Sequence, residues 1–237
     1  MSLSELFDRL EHKRRTGTVY ASTPQPDLER RFDLNGVTVT FCPLPEETTQ
    51  SFLVIRDEDG FVESIDLEAV REFLEPPAYR PWDEAFDDAP YRSVLEALDT
   101  TVWRALDRRQ LLATAREIEE RAWRVGRGTL RVGFQRLSAM EAQLPIYDRL
   151  ATETALEIHI YGRDDWDQPD IPSVTVHTDS NGEIGRFWIL AFDGGPDERQ
   201  ACGLLARERD DGDFDGFWTY DPSLVEEIDR ETREAVE

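Results

Sequence analysis

Residues 187–192 read FWILAF, an unbroken run of six apolar residues. A run of this length is typical of a β-strand, and the lack of polar alternation indicates a strand that is covered on both faces. The turn residues Asp193-Gly194-Gly195-Pro196 follow at once and end the strand. The stretch therefore predicts a central strand of a sheet that has helices packed against it.

Strand patterns lie on both sides of this run. Residues 201–206 and 214–220 are strand candidates that short turns join to it, and such turns favour an antiparallel meander. Upstream, residues 156–161 and 174–177 alternate apolar and polar side chains, as half-buried strands do. We predict an α+β fold in which a mixed, largely antiparallel sheet is flanked by helices.

The first part of the chain has helix and strand patterns of its own. Ser2-Leu3-Ser4-Glu5 is a capping box that predicts a helix, and Asp59-Gly60 between two apolar runs predicts a hairpin. We predict a smaller N-terminal α/β unit over residues 1–75. Residues 76–90 contain four prolines among acidic residues and are predicted to be a linker at a domain boundary, because proline interrupts helices and central strands.

The segment 91–125 contains neither glycine nor proline and has apolar residues at helical spacing. It predicts a connecting helix, or a helix pair if the polar stretch 107–110 interrupts it. The apolar residues of its first half are Val94, Leu95, Leu98 and Val102. We expect them to contact a second copy in a homodimer; the alternative is that they pack on the N-terminal unit of the same chain.

The charge of the chain indicates its environment. Asp and Glu number 51 against 27 Lys and Arg, so the formal net charge is −24, and Lys13 is the single lysine. A surface rich in carboxylates and arginine resembles that of haloarchaeal cytoplasmic proteins, which work in molar salt where charges are screened beyond about 3 Å. The sequence has no basic stripe, so direct binding of nucleic acid is not expected.

Membrane and secretory segments are not expected either. No stretch approaches the roughly 20 apolar residues that span a bilayer, and the charged first residues have no apolar core of a signal peptide. Cys42 and Cys202 lie far apart and fit neither a disulfide framework nor a zinc site. We predict two reduced thiols and a cytoplasmic location.

Residues with catalytic potential are few, and no known catalytic signature is present. His159 and His177 occupy the polar faces of two predicted strands, and their imidazoles could converge if those strands are neighbours; a purely structural role is the alternative. His12 is expected to face solvent. Residues 211–216 match the start of a calcium loop, but Pro222 stands where the bidentate Glu is required. No metal site is predicted.

Aromatic residues are concentrated near the C-terminus, where seven fall within 34 positions. They either form the sheet core or line a pocket for a planar ligand. We expect Trp188 and Trp218 to be mainly structural. The oppositely charged residues of 116–124 are interpreted as solvated ion pairs on one helix.

Several blocks of sequence occur in an order that resembles the DICT sensory domain, which is named for its occurrence with diguanylate cyclases and two-component systems. They are Gly126-Arg127-Gly128-Thr129-Leu130, Leu156-Glu157-Ile158-His159-Ile160-Tyr161-Gly162, Phe187-Trp188 and Gly216-Phe217-Trp218-Thr219-Tyr220-Asp221-Pro222. The resemblance covers residues 109–232, and stand-alone members with an added N-terminal region are common in haloarchaea.

The resemblance implies a sensory role in signal transduction, linked to light responses, and it supplies no catalytic residues and no cofactor. We therefore predict a non-enzymatic regulator that binds a small ligand or a signalling partner. The alternatives are an enzyme that uses His159 and His177 with nearby carboxylates, and a plain interaction module. The candidate ligand contacts are Arg127, Gln135, Tyr147, His159, Tyr161, His177, Trp188, Trp218 and Tyr220.

Overall fold

The protein folds around two β-sheets. A computed structural model describes residues 1–10, 15–34, 37–77, 79–83, 89–167, 171–179, 182–210 and 212–236. The strands within these ranges are β1 (Thr16–Ala21), β2 (Thr38–Pro43), β3 (Phe52–Asp57), β4 (Gly60–Asp66), β5 (Trp103–Leu106), β6 (Arg127–Arg136), β7 (Ala155–Arg163), β8 (Val174–Thr178), β9 (Phe187–Phe192), β10 (Cys202–Glu208) and β11 (Phe214–Thr219). The α-helices are α1 (Leu3–Leu10), α2 (Pro26–Leu34), α3 (Leu67–Leu74), α4 (Arg92–Ala97), α5 (Arg108–Val125), α6 (Leu144–Glu153) and α7 (Pro222–Glu234). None of these helices is both long enough and apolar enough to span a bilayer.

The larger sheet has the strand order β5-β11-β10-β9-β6-β7-β8. Strand β9, the FWILAF stretch, lies between β10 and β6, so the prediction of a central strand is confirmed. Phe187, Ile189 and Ala191 pack in one cluster with α1 and α7, whereas Leu190 and Phe192 pack in the other cluster with α5. Strands β6, β7 and β8 are parallel and the other pairs are antiparallel. The predicted α+β class with a mixed, largely antiparallel sheet is therefore confirmed.

The smaller sheet is N-terminal and has the strand order β2-β1-β3-β4. Strands β3 and β4 form the predicted hairpin, and the Asp57 carboxylate accepts the amide protons of Asp59 and Gly60 in its turn. The Asp66 carboxylate accepts the amide of Glu68 at 2.7 Å and starts α3. Local capping signals in the sequence thus set the ends of these elements.

The segment 91–125 is divided into α4, β5 and α5. Asp107 and Gln110, at the predicted interruption, form a capping box that starts α5, and Gly126 in the left-handed region ends it. Strand β5 was not predicted. Thr100 and Ala105 have φ of 59° and 54°, an uncommon conformation for residues with side chains. Thr100 is held by the hydrogen bond from its amide to the Trp218 carbonyl, and Ala105 lies in the strand that pairs with β11; no local pattern encodes either long-range contact.

The apolar face that was predicted to contact a second copy is covered by the same chain. Val94, Leu95 and Leu98 are 0% exposed and Val102 is 8% exposed. Val94, Leu95 and Leu98 belong to the core cluster that also contains residues of α3 and of the N-terminal sheet. The predicted dimer contact through this face is wrong, because the alternative packing within the chain already buries it.

One hydrophobic core joins the two sheets. Trp103 of β5 packs edge-on against Phe32 of α2 and Phe73 of α3, with ring centroids 5.3 and 5.1 Å apart. Trp218 of β11 contacts Phe73 and Trp103, and its indole N–H donates to the Leu95 carbonyl at 2.6 Å. Residues before and after the predicted linker 76–90 therefore pack in the same core. The predicted domain boundaries 1–75, 76–90 and 109–232 stay predictions.

The charge leads to a test of salt dependence. With a formal net charge of −24, repulsion between surface carboxylates opposes folding when salt is low. We expect the midpoint of thermal unfolding, measured by circular dichroism, to rise steeply from low to molar potassium chloride. Potassium chloride and sodium chloride should act alike, because the effect is screening. A midpoint that does not change over this range would contradict the halophilic interpretation.

Candidate functional site

One face of the larger sheet carries polar side chains at its β6–β7–β8 end. Strand alternation and register place Arg131 of β6 opposite His159 of β7, and Tyr161 of β7 opposite His177 of β8. Helix α7 crosses the same face and contacts β6, β9 and β10. We call the set Arg131, His159, Tyr161 and His177 the histidine face. The neighbouring strands that would let the two histidines converge are present.

The two imidazoles meet at hydrogen-bond distance. His159 Nδ1 lies 3.0 Å from His177 Nε2, and the ring centroids are 5.3 Å apart. The Tyr161 ring stacks on the His177 imidazole: the two rings are nearly parallel, and their centroids are 4.5 Å apart. Both histidines are half-buried, and β8 is the edge strand of the sheet. The pair is therefore both ordered by its neighbours and reachable from solvent.

Arg131 connects the histidine face to α7. Its guanidinium donates to the Tyr161 hydroxyl at 2.9 Å and pairs with the Asp229 carboxylate on α7. Arg131 was not among the contacts predicted from sequence. The sequence does show an arginine in a strand between the apolar residues Leu130 and Val132. Its partners could not be predicted, because they lie 30 and 98 positions away.

The protonation of the pair follows from its surroundings. Burial, then the positive charge of Arg131, then His177 lower the pKa of His159. Burial and Arg131 lower the pKa of His177 as well. Burial raises the pKa of the Tyr161 hydroxyl against the opposing effect of Arg131. Near neutral pH both imidazoles are therefore uncharged, so one ring nitrogen can donate and the other accept.

Two open grooves adjoin this face. One, of about 440 Å³, lies between α7 and β6 and is lined by Thr129, Arg131, Ser223, Asp229 and Arg233 among others. The second, of about 510 Å³, lies at the amino ends of β7 and β8 and is lined by residues that include Glu157, His159, Ser173 and Thr175. Among the described residues, no group of three or more His, Cys, Asp or Glu side chains is arranged to hold a metal ion.

Of the nine predicted ligand contacts, three lie together on the histidine face: His159, Tyr161 and His177. The other six lie outside it. Trp218 is in the core described above, and Trp188 is half-buried against Phe214. Gln135 donates to Glu208 at 2.8 Å, and Arg127 is exposed at the start of β6. The remaining two, Tyr147 and Tyr220, contact the charged side chains of α5.

Four charged residues of α5, Arg116, Glu117, Glu119 and Glu120, are buried, so for them the prediction of solvated ion pairs is wrong. Glu117 and Glu119 are 2% and 1% exposed. Glu117 pairs with Arg92 of α4 at 3.0 Å and with Arg121 at 3.3 Å. Glu119 pairs with Arg116 and accepts the Tyr147 hydroxyl of α6 at 2.7 Å. The buried face of the helix is enclosed by the sheet, α4 and α6, and its carboxylates are therefore paired with arginines instead of being solvated by water.

Two motifs from the sequence fall partly or wholly outside the described residues. His12 lies outside them. Of the calcium-like loop, Asp211 lies outside as well, while the Asp215 carboxylate accepts the Ala105 amide at 3.1 Å and pairs with Arg209. Asp215 thus has a structural use in holding β5 beside β11.

The comparison with family models gives the decisive observation: residues 92–209 match DICT, a sensory domain in diguanylate cyclases and two-component systems. The chain carries a DICT domain. The match begins at α4, ends at the turn after β10, and includes β6, β7 and β8 with all four residues of the histidine face. The predicted resemblance is confirmed, with earlier limits at both ends than the predicted 109–232. The DICT domain gives this protein a sensory role in signal transduction.

No curated protein matches the chain. Among solved structures, polyphosphate kinase from Porphyromonas gingivalis is similar, with 14% sequence identity and a TM-score of 0.38. The alignment covers 96% of this chain and 42% of the kinase, so the chain spans less than half the length of that protein.

Proposed function

We propose that this DICT protein is a non-enzymatic sensor. In this proposal the histidine face receives a small ligand, and the N-terminal sheet passes the signal to a protein partner. The observation that carries the proposal is the core shared by the two sheets, in which Trp103 and Trp218 contact Phe32 and Phe73. Because packed cores transmit small displacements, a change at the sensory sheet alters the packing of the N-terminal unit.

A continuous set of contacts supports this direction of transmission. Arg131 holds α7 through Asp229, and α7 begins directly after β11. At that junction the Tyr220 amide donates to the Asp99 carboxylate at 3.0 Å. The Thr100 amide donates to the Trp218 carbonyl at 2.8 Å. Asp99 and Thr100 follow α4, so a shift of α7 reaches the helix that packs on the N-terminal unit.

The proposed setting is a haloarchaeal cytoplasm, with a link to light responses that rests on the resemblance alone. The net charge of −24 and the single lysine support an environment of molar salt. Cys42 and Cys202 are both unpaired, which agrees with a reducing compartment. The histidine face lies on the side of the sheet away from α5, and the shared core connects this sheet with the N-terminal unit. We therefore propose that the N-terminal unit is the part that contacts a signalling partner.

Ligand retention and transmission are tested together. The protein is purified in molar potassium chloride from a halophilic host, and its native mass is compared with that of His177→Asn and the control His12→Asn. We expect wild type and control to retain a small molecule or ion that His177→Asn lacks. Hydrogen exchange of residues 52–66 should be slower in the loaded protein, because occupancy tightens the shared core.

Two results would contradict the proposal. One is a wild-type protein that carries no extra mass when it is isolated from the host. The other is identical hydrogen exchange of residues 52–66 in loaded and unloaded protein, since the N-terminal sheet would then not respond to the histidine face.

A further inference from the structure

Strand β8 forms one edge of the larger sheet, and the described residues contain no strand beyond it. Its residues Val174–Thr178 read VTVHT and include neither proline nor Asp, Glu, Lys or Arg, although 33% of the chain is charged. The unpaired amides and carbonyls of an edge strand are a template for another strand, and proteins usually block them with charge, proline or a β-bulge. Strand β8 has none of these features, and four of its five residues are β-branched and favour strand pairing.

The other described sheet edges carry such protection. Strand β4 is bulged and contains Glu63 and Asp66. Strand β5 is bulged opposite β11, and Ala105 within it has a positive φ. Strand β2 packs beside α2 and ends in Pro43. Within the described part of the chain, β8 is therefore the edge that is open to pairing.

The backbone of β8 presents hydrogen-bonding groups outward at alternate residues. Directly after the strand, the Asp179 amide donates to a carbonyl of β7 at 2.8 Å, so the odd-numbered residues of β8 face β7. The amides and carbonyls of Val174, Val176 and Thr178 therefore face away from it. The Val174 amide donates to the Ile171 carbonyl. The open edge thus offers the amides of Val176 and Thr178 and the carbonyls of Val174 and Val176.

We propose that a second copy of the chain pairs its own β8 antiparallel to this strand, so that the two larger sheets become one. A two-fold axis at Val176 places the two Val176 residues opposite each other, and Val174 of one copy opposite Thr178 of the other. These are the outward-facing residues, so the open groups meet in register. The amides of Val176 and Thr178 in each copy then donate to Val176 and Val174 of the other, which makes about four hydrogen bonds. The inference goes beyond the proposed function, because the pairing requires no ligand.

Charge favours a second copy at this edge. Two chains that each carry a formal net charge of −24 repel one another, so they approach most closely where neither presents a carboxylate. Residues 171–173 before the strand are uncharged. After the strand, Asp179 is 7% exposed, and its carboxylate accepts the amides of Gly182 and Gly185 in the same chain.

The size of the contact determines how stable the dimer is. Strand β8 contributes five residues from each copy, whereas a standard stable interface uses roughly 20–30 residues a side. We therefore expect a reversible dimer that forms as the protein concentration rises. This contact is separate from the buried face of α4.

The pairing also joins the histidine faces of the two copies. Thr175 and His177 lie on the same face of β8, and the two-fold axis places Thr175 of one copy opposite His177 of the other, with Cβ atoms about 4.5–5.5 Å apart. Nε2 of His177 already meets His159 in its own chain. Nδ1 therefore remains for a hydrogen bond with the Thr175 hydroxyl of the other copy. The second copy thus contributes a residue to the candidate site that a monomer lacks.

The experiment is sedimentation of full-length protein in molar potassium chloride over a range of concentrations, with wild type, Thr178→Pro and the control Thr178→Ala. Proline removes the outward amide but no hydrogen bond to β7, and an edge strand tolerates proline at such a position. Alanine keeps the amide. We expect wild type and control to form dimers alike. Thr178→Pro loses one intermolecular hydrogen bond from each copy, so its dimer should dissociate about tenfold or more readily.

Hydrogen exchange of wild type provides a readout that needs no variant. The amides of residues 174–178 should exchange more slowly at a concentration that gives dimer than at one that gives monomer, because the outward amides become bonded. Residues 52–66 lie in the other sheet and serve as the internal control.

A wild-type protein that stays monomeric up to about 1 mM would overturn the inference. So would a dimer in which residues 174–178 exchange as fast as in the monomer, since another surface would then form the contact. The exchange is recorded on wild type, so the test holds even if Thr178→Pro fails to fold. The two proposals fail separately: a dimer without a retained ligand contradicts the proposed function alone, and a ligand-retaining monomer contradicts the pairing of β8 alone.

Discussion

Replacing Trp218 with alanine is expected to lower the free energy of unfolding by about 3–5 kcal/mol, the usual cost of truncating a buried tryptophan. Its side chain is 2% exposed and packs against Phe73 and Trp103. The substitution also leaves the buried Leu95 carbonyl without its 2.6 Å indole donor. Denaturant unfolding in molar potassium chloride measures the loss.

Trp188→Ala is the matched control. Trp188 is only half-buried, so its loss should cost clearly less than that of Trp218. An unfolding free energy of Trp218→Ala within about 1 kcal/mol of wild type would show that the shared core does not depend on this ring.

Replacing Glu119 with leucine should have an effect of similar size. Glu119 is 1% exposed and binds both the Arg116 guanidinium and the Tyr147 hydroxyl. Its loss leaves the buried Arg116 with only the neutral Gln143 side chain as a partner, and removing the carboxylate of a buried ion pair typically costs about 3–5 kcal/mol. The measurement is again denaturant unfolding in molar salt, where screening does not weaken a buried pair as it weakens a surface pair.

The control for this prediction is Glu153→Leu. Glu153 forms an exposed pair with Arg149 four residues earlier on α6, and its side chain is 50% exposed. Such pairs contribute about 0–1 kcal/mol. If both variants unfold at the same denaturant concentration, the charges of α5 are solvated in solution as the sequence pattern first suggested.

The elements that could be predicted from sequence are those specified by their own residues. FWILAF is apolar at every position, and Asp59-Gly60 and Asp66 carry the turn and cap chemistry of a hairpin and a helix start. Strand β5 could not be predicted because it has four residues and pairs with β11, more than a hundred positions later. Its stability comes from a long-range partner and not from its own pattern.

The residues of the candidate site also fall into those that could be predicted from sequence and those that could not. His159 and His177 could be selected because each lies on the polar face of an alternating strand, and the parallel register then brings them together. Arg131 and the acidic residues of α5 could not be assigned, because a charged residue has the same sequence pattern whether water or a buried partner solvates it. Their partners come from distant segments, such as Asp229 for Arg131 and Arg92 for Glu117.

The pairing of β5 with β11 limits where this chain can be cut if the excised part is to keep its packing. The matched segment 92–209 contains β5 but neither β11 nor α7. Excised alone, it would lose the strand that pairs with β5, the Trp218 ring beside Trp103, and the carboxylate that binds Arg131. The unit that can be transplanted into another protein with its packing intact therefore extends through residue 234 and brings the N-terminal sheet with it.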